Sequence, residues 1–250
     1  MLWRFAQHFL TSFVIIFSGV YWGFASIPSI MLFLQVVENT QEYILWQRSV
    51  YIGLSLGLAY IIWMLMVIFL TGMIGLLFRP KFKSSQVPIY SITSLKWGFL
   101  SVLDRLAKPF IGYLVPSWVV HGYYSAMGCK IGWRTIISSD RLNDVYMVEI
   151  GNQSIIGSKV LITAHIAEKD HLILAPVKIG AKCLIGVGAQ INPGCEIGDE
   201  VVIASRAVVP KYTKVPPGEI WGGIPAKPVR KSTNNNKSVS YTHLTLPTKA

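Results

Sequence analysis

Branched aliphatic residues return at every sixth position along the second half of this chain. They are Ile131 and Ile137; Ile150, Ile156 and Ile162; and then Ile179, Ile185, Ile191, Ile197, Ile203 and Val209. A small residue follows most of them, at Gly132, Gly151, Gly157, Gly180, Gly186 and Gly198, with Asn192 and Ala204 in the same slot. Four places after each aliphatic comes another modest side chain, among them Thr135, Ser154, Val160, Cys183, Ala189, Cys195, Val201, Ala207 and Thr213. A period of six matches neither the ~3.6 of a helix nor the ~2 of a strand. It fits a triangular solenoid with one short strand per side and three hexads per coil. The aliphatics then point to the axis, and the small residues let the chain turn the corner without crowding it. Each coil buries its aliphatics only against its neighbours, so about four coils are needed for a stable stack. The eleven aliphatics above supply that number.

Two breaks interrupt the period. The register slips by one residue between Ile137 and Ile150, and the gap from Ile162 to Ile179 expels a loop around His165 to Lys178. Loops on a rigid scaffold are where function concentrates. After Thr213 the segment VPPGEIWGGIPAKPVRK, dense in Pro and Gly, reads as a cap or arm rather than a further coil.

The first part of the chain has a different character. The sequence is 52% hydrophobic and 14% charged, too apolar for an ordinary soluble protein. Phe9 to Val37 and Ser49 to Phe78 contain no Asp, Glu, Lys or Arg, and each exceeds the roughly 20 residues needed to cross a bilayer. Residues 1–78 therefore read as a two-helix transmembrane hairpin. The first run is too long, and too bulky near its end, for a cleaved signal peptide. Arg4 precedes the hairpin and Arg79, Lys81 and Lys83 follow it, whereas Glu38 to Arg48 connects its helices. The positive-inside rule then puts both ends, and the domain that follows, in the cytoplasm.

Residues 79–127 read as a linker, Arg79 to Ser94, followed by an amphipathic helix, Leu95 to Val115, kinked before Pro109. Its apolar face either lies in the membrane interface or packs on the solenoid or the hairpin. Residues 128–231 form the β-helix. The ending SVSYTHLTLPTKA looks like translated sequencing adapter, so 232–250 reads as a disordered tail of artefactual origin, leaving the natural C-terminus missing. The fold class is thus mainly β, a parallel β-helix behind an α-helical membrane hairpin.

The formal charge of +11 comes without a basic helix or an aromatic–basic strip, which argues against nucleic acid and for anionic lipid head groups or cofactor phosphates. Cys129, Cys183 and Cys195 form no CxxC pair, as expected of a reducing compartment. Cys183 and Cys195 fall in the small inner slot and read as packing residues.

The hexads, LITAHI at 161–166, INPGCEIGDEVVIASRAVV at 191–209 and GGIPAKPVRK at 222–231 together resemble the hexapeptide-repeat acyltransferases, over Gly128 to Lys231. The stretch WGFLSVLDRLAKPFIGYLVPSWVVHGYYSAMGCKIG at 97–132 adds a looser likeness to the membrane-linked modules of poly-lysine-synthetase-type peptide synthetases. This resemblance implies a left-handed coil and a homotrimer with acyl-CoA sites in the grooves between neighbouring solenoids. It implies acetyl-CoA or another acyl-CoA as co-substrate, with no tightly bound cofactor. His165 is then the general base toward a small-molecule or lipid-linked acceptor, His171 is its rival, and Glu168 or Asp170 orients the imidazole. The pantetheine arm would run near Ala189, Ala204, Ser205 and Gly223, and Lys227 and Arg230 would meet the phosphates. Lys211, Lys214 and Lys231 lie in the same basic cluster. Two other readings compete: a zinc-dependent carbon dioxide hydratase using His121, His165 or His171, and a non-catalytic membrane-anchored trimeric module or synthetase fragment.

Overall fold

A computed structural model describes residues 2–78 and 82–230, with side chains over 11–78 and 82–229. The tail and the basic residues Arg79 and Lys81 lie outside the described residues. In chain order the elements are α1 (Leu2–Asn39), α2 (Leu45–Leu77), β1 (Ser85–Pro88), α3 (Ile92–Leu114), α4 (Trp118–Ala126), and then the strands β2 to β17.

The strands build a three-sided parallel coil. The first face stacks β2 (Lys130–Ile131), β4 (Val148–Ile150), β9 (Val177–Ile179), β12 (Glu196–Ile197) and β15 (Lys214–Val215). The second face stacks β3 (Ile136–Ile137), β5 (Ile155–Ile156), β10 (Leu184–Ile185), β13 (Val202–Ile203) and β16 (Ile220–Gly222). The third stacks β6 (Leu161–Ile162), β11 (Gln190–Ile191) and β14 (Val208–Val209). Register aligns the hexad aliphatics into ladders, such as Ile137, Ile156, Ile185 and Ile203 on the second face. Ile156, Ile162, Ile185, Ile191 and Ile203 are completely buried, so they share one interior.

The glycines after the aliphatics act differently from the sequence expectation. A Cβ on Gly186 would lie 2.5 Å from the Ser205 nitrogen, and one on Gly151 2.5 Å from the Ala181 nitrogen. These glycines let successive coils approach. The corner itself is turned three places after the aliphatic, where left-handed backbone occurs at Arg134, Gln153, Lys159, Lys182, Gly188, Gly194, Glu200, Arg206, Tyr212 and Gly218. Long polar residues at most of these corners keep their side chains in solvent. The second small slot links coils: Ser154 Oγ donates to Gly180 O (2.7 Å), Thr135 Oγ1 to Gly151 O (2.8 Å) and Cys183 Sγ to Gly198 O (3.0 Å).

The coil also runs further than its aliphatic repeat announces. β15 and β16 add two more sides, with Val215 and Trp221 in the hexad register, and only then does β17 (Lys227–Arg230) turn back antiparallel on β16. The Pro-rich composition of 214–222 masked this continuation, because Trp221 stands where the ladder otherwise has an aliphatic.

The expelled loop is a hairpin of β7 (His165–Glu168) and β8 (His171–Leu174). Its open edge is closed by β1, so part of the expected linker is a strand: Ser85 pairs with Leu174 and Pro88 with His171. Helix α3 starts at a Ser91 cap and runs unbroken through Pro109. Its face Leu103, Leu106, Phe110 and Ile111 is buried against the hairpin. Trp63 and Trp22 pack edge-on against Phe110, and Trp22 Nε1 donates to Leu106 O at 3.3 Å. Packing on the hairpin is therefore what this face does. Helix α4, absent from the sequence reading, seats Tyr123 and Met127 against Gly72 and Gly75 of α2. Helices α1 and α2 are each long and apolar enough to cross a membrane.

Two substitutions separate close approach from corner geometry. Gly186→Ala should lower unfolding stability by about 1–3 kcal/mol through overpacking, whereas Gly188→Asn should cost less, because a Cβ there meets only Arg206 Cγ at 3.6 Å and Asn tolerates left-handed backbone. Denaturant melts of the two purified variants check the order.

Candidate active site

His165 is the first residue after the break, where the chain leaves the third face, so the rigid stack beneath fixes its backbone. Its side chain is 27% exposed, and Nδ1 lies 2.5 Å from Asp144 Oδ2, on a side chain only 2% exposed. A carboxylate accepts, so Nδ1–H is the donor in this pair. Thr163 Oγ1 also lies 3.2 Å from Nδ1.

Asp144 comes from the other break in the period. The 138–147 segment makes a single bridge, Leu142 to Ile162, and then passes through left-handed backbone at Asp144 (φ 53°) into a 3-10 turn at Val145–Met147. This conformation is costly for most residues but accessible to Asp. It aims the carboxylate across the coil end. Trp97 Nε1 of α3 donates to Asp144 Oδ1 at 2.8 Å, and the Ala164 amide donates to Oδ2 at 3.3 Å. The Tyr146 hydroxyl adds a fourth donor to Oδ1 at 3.4 Å, so four donors hold this buried carboxylate. The Trp97 ring also packs on the imidazole, with centroids 4.6 Å apart.

These groups line a pocket of 240 Å³ between α3 and the 143–146 segment, which Ser101, Asp104, Arg105 and Lys108 line as well. Asp104 accepts from Tyr123 Oη at 2.8 Å and pairs with Lys108 Nζ at 3.1 Å, and Lys108 also bonds Asn143. Burial pushes the Asp104 carboxyl up, offset in part by Lys108 and by the Tyr123 hydroxyl. Burial and the adjacent Asp144 likewise push the Tyr146 hydroxyl up.

The expected orienting acids are engaged elsewhere. Glu168 pairs with Lys211 at 2.5 Å, and Asp170 sits exposed at the hairpin turn, where its carbonyl accepts from the Ile89 amide. Sequence proximity favoured them over Asp144, which is twenty-one residues away and arrives through the one-residue slip. His171 is exposed on β8. His121 Nε2 donates to Thr135 O at 2.8 Å, tying α4 to the coil. Among the described residues no three His, Cys, Asp or Glu side chains gather as a cation site.

The proposed cofactor residues sit at another corner. Ala204 and the exposed Ser205 lie between the second and third faces, next to Gly186. The arm crosses the same end: the Gly223 carbonyl accepts from Val208 and the Ala226 amide donates to Val208 O. Lys227 is exposed there, and Arg230 pairs with Ile220 through its backbone. Ala189 differs, being completely buried, with its amide donated to Gly186 O and its carbonyl accepting from Leu161. It packs the coil and offers a cofactor nothing. Lys214 pairs with Glu196 at 3.2 Å.

Residues 176–211 match the family of bacterial transferase hexapeptides (six repeats). This part of the coil is similar to that family's repeats. The curated relatives include the galactoside O-acetyltransferase of Escherichia coli, 29% identical over 131 residues, covering 48% of this chain and 64% of that protein. They also include the delta-poly-L-ornithine synthetase of Acinetobacter baumannii, 24% identical over 146 residues, 58% of this chain but 11% of the relative. The chain thus spans less than two thirds of either relative's length. Among solved structures, a hexapeptide-repeat acetyltransferase of Vibrio cholerae complexed with acetyl coenzyme A aligns with a TM-score of 0.47 at 20% identity, over 58% of this chain and 92% of that one.

The three cysteines are free and buried. Burial pushes the Cys129 thiol up to about 12 and Cys195 up to about 11, and raises Cys183. A free thiol ionises near pH ~8.5, so the folded thiols stay protonated above that value. The folded state holds these protons more tightly, so their contribution is fully present below the free value and is lost as pH rises from there through the folded values of about 11 and 12. Alkylation by iodoacetamide at about pH 9 should therefore be slow in native protein and rapid after denaturation.

Proposed function

We propose that this protein is a membrane-anchored acyltransferase that moves an acyl group, most simply acetyl, from acyl-CoA to a hydroxyl or amine acceptor close to the membrane. The observation that carries the reading is the His165–Asp144 pair at the break in the coil. With Nδ1–H donated to Asp144, Nε2 is free to take the acceptor's proton while the acceptor oxygen or nitrogen bonds to the thioester carbonyl carbon. Collapse of the tetrahedral adduct breaks the C–S bond, and the proton passes from Nε2 to the departing coenzyme A thiolate. Asp144 stabilises the imidazolium formed in between. A thioester is already activated, so no acyl-enzyme is needed.

The separation of the two corners supports a homotrimer with shared sites. One protomer would contribute His165 at the corner of the third and first faces. Its neighbour would contribute Ala204, Ser205, Gly223 and the Lys227 and Arg230 cations at the corner of the second and third faces, where backbone stays accessible beside small side chains. The hairpin α1–α2 supplies the anchor, with the solenoid on the cytoplasmic side, where acyl-CoA is present.

His165→Ala should lower kcat by about 10²–10⁴ with the acetyl-CoA KM little changed, and Asp144→Asn should lower it by about 10–100 through loss of the fixed tautomer. Thiol release from acetyl-CoA against a panel of glycans, amines and lipids measures both. Unchanged turnover in His165→Ala removes the base. For the shared cleft, inactive His165→Ala and inactive Lys227→Ala chains should regain activity when co-expressed, since some mixed trimers contain one fully native cleft. Persistent inactivity of the mixture contradicts shared sites.

A further inference from the structure

Helix α3 gives its two faces different surroundings. One face runs Ile92, Leu95, Phe99, Leu103, Leu106 and Phe110. The last three are buried against the hairpin, while Ile92, Leu95 and Phe99 are 72%, 64% and 52% exposed. The apolar stripe therefore continues past the hairpin into open space. The opposite face of the same helix, Trp97, Ser101, Asp104, Arg105 and Lys108, forms one wall of the pocket that holds His165.

The hairpin beyond its contact with α3, about residues 24–39 and 45–62, is roughly 24–27 Å long at ~1.5 Å per residue. That is close to the roughly 30 Å thickness of bilayer hydrocarbon. A bilayer surrounding this part ends near the contact of Trp22 and Trp63 with Phe110, at the C-terminal end of α3. Lys108 and Arg105 of the pocket wall lie within two turns of that contact on the same helix.

Its size and charge restrict what enters. At 240 Å³ the pocket is smaller than the roughly 300–1,000 Å³ that holds a complete small ligand, so it takes a compact group whose remainder stays outside. Lys108 is balanced by Asp104, and Asp144 by its four donors. Arg105 is exposed at the rim and forms no ion pair among the described residues. The groups beside His165 thus present hydrogen-bonding partners for hydroxyls, with one uncommitted guanidinium suited to a phosphate.

Resting on the acyltransferase reading, we propose that the pocket between α3 and the 143–146 segment is the acceptor site, and that it takes the phosphate-linked polyol headgroup of a membrane lipid. A headgroup hydroxyl is acylated beside His165 while the phosphate meets Arg105 and the acyl chains stay in the bilayer. In the transfer, the hydroxyl oxygen bonds to the thioester carbonyl carbon, the C–S bond breaks, and the hydroxyl proton leaves through His165 with coenzyme A.

The test uses the full chain in phosphatidylcholine vesicles doped with phosphatidylinositol or phosphatidylglycerol, with radiolabelled acetyl-CoA. Label should enter the doped lipid fraction and not pure phosphatidylcholine, whose headgroup has no hydroxyl. Arg105→Ala should raise the KM for the doped lipid about tenfold with the acetyl-CoA KM unaltered. Transfer to soluble inositol 1-phosphate or glycerol 3-phosphate as readily as to the lipids overturns the lipid assignment. A wild-type lipid KM in Arg105→Ala, or no labelling of either lipid by a chain that still binds acetyl-CoA in calorimetry, overturns the acceptor site. Failure to bind acetyl-CoA at all instead overturns the acyltransferase reading beneath it.

Discussion

The structure depends on how closely one coil can sit on the next. Each hexad presents an amide and a carbonyl to the coils above and below, as when the Gly186 amide donates to Ile203 O and the Gly157 amide to Ile185 O. Those bonds form only where no side chain intervenes, which is why a Cβ at Gly151, Gly157 or Gly186 would run into backbone. Once the coils are in contact, the interior is set: Ile156, Ile185 and Ile203 stack directly and leave the axis no freedom. A scaffold of this kind is stiff, and chemistry has to be placed where the stacking is interrupted.

There are two interruptions before the arm, and they supply the two halves of one constellation. The slip after Ile137 delivers Asp144, and the longer gap after Ile162 delivers His165. Helix α3 closes the arrangement from outside the coil, since Trp97 both donates to Asp144 and packs on the imidazole. The same helix is wedged against Trp22 and Trp63 of the hairpin. A continuous chain of packed aromatic and hydrogen-bonding groups therefore joins the apolar hairpin to the imidazole, so the position of the His165 side chain is tied to the seating of the N-terminal helices.

Much of this was legible from residues alone because the period of six has only one good packing solution. The buried aliphatics, the two long apolar helices and His165 at the edge of the break follow from spacing. Other features were not legible, for identifiable reasons. Asp144 is remote in sequence from its partner, and the nearer acids Glu168 and Asp170 looked equally suitable until the hairpin turned them toward Lys211 and solvent. Ala189 looked accessible because small residues occupy both the corner slot and the inner slot, and spacing does not say which one backs onto the core. Strand β1 was hidden in a polar linker, since only the open edge of β8, created far downstream, makes Ser85–Pro88 extend.

The central claim is that His165, fixed by Asp144, stands beside the reacting thioester in a cleft completed by a neighbouring protomer. A structure of the full chain with coenzyme A bound tests this most directly. The account predicts the coenzyme A sulfur within about 3–4 Å of the site facing His165 Nε2, with its pantetheine arm against Ala204 and Ser205 of an adjacent copy. A sulfur seated at a different corner, with His165 walled off from it, would contradict the account.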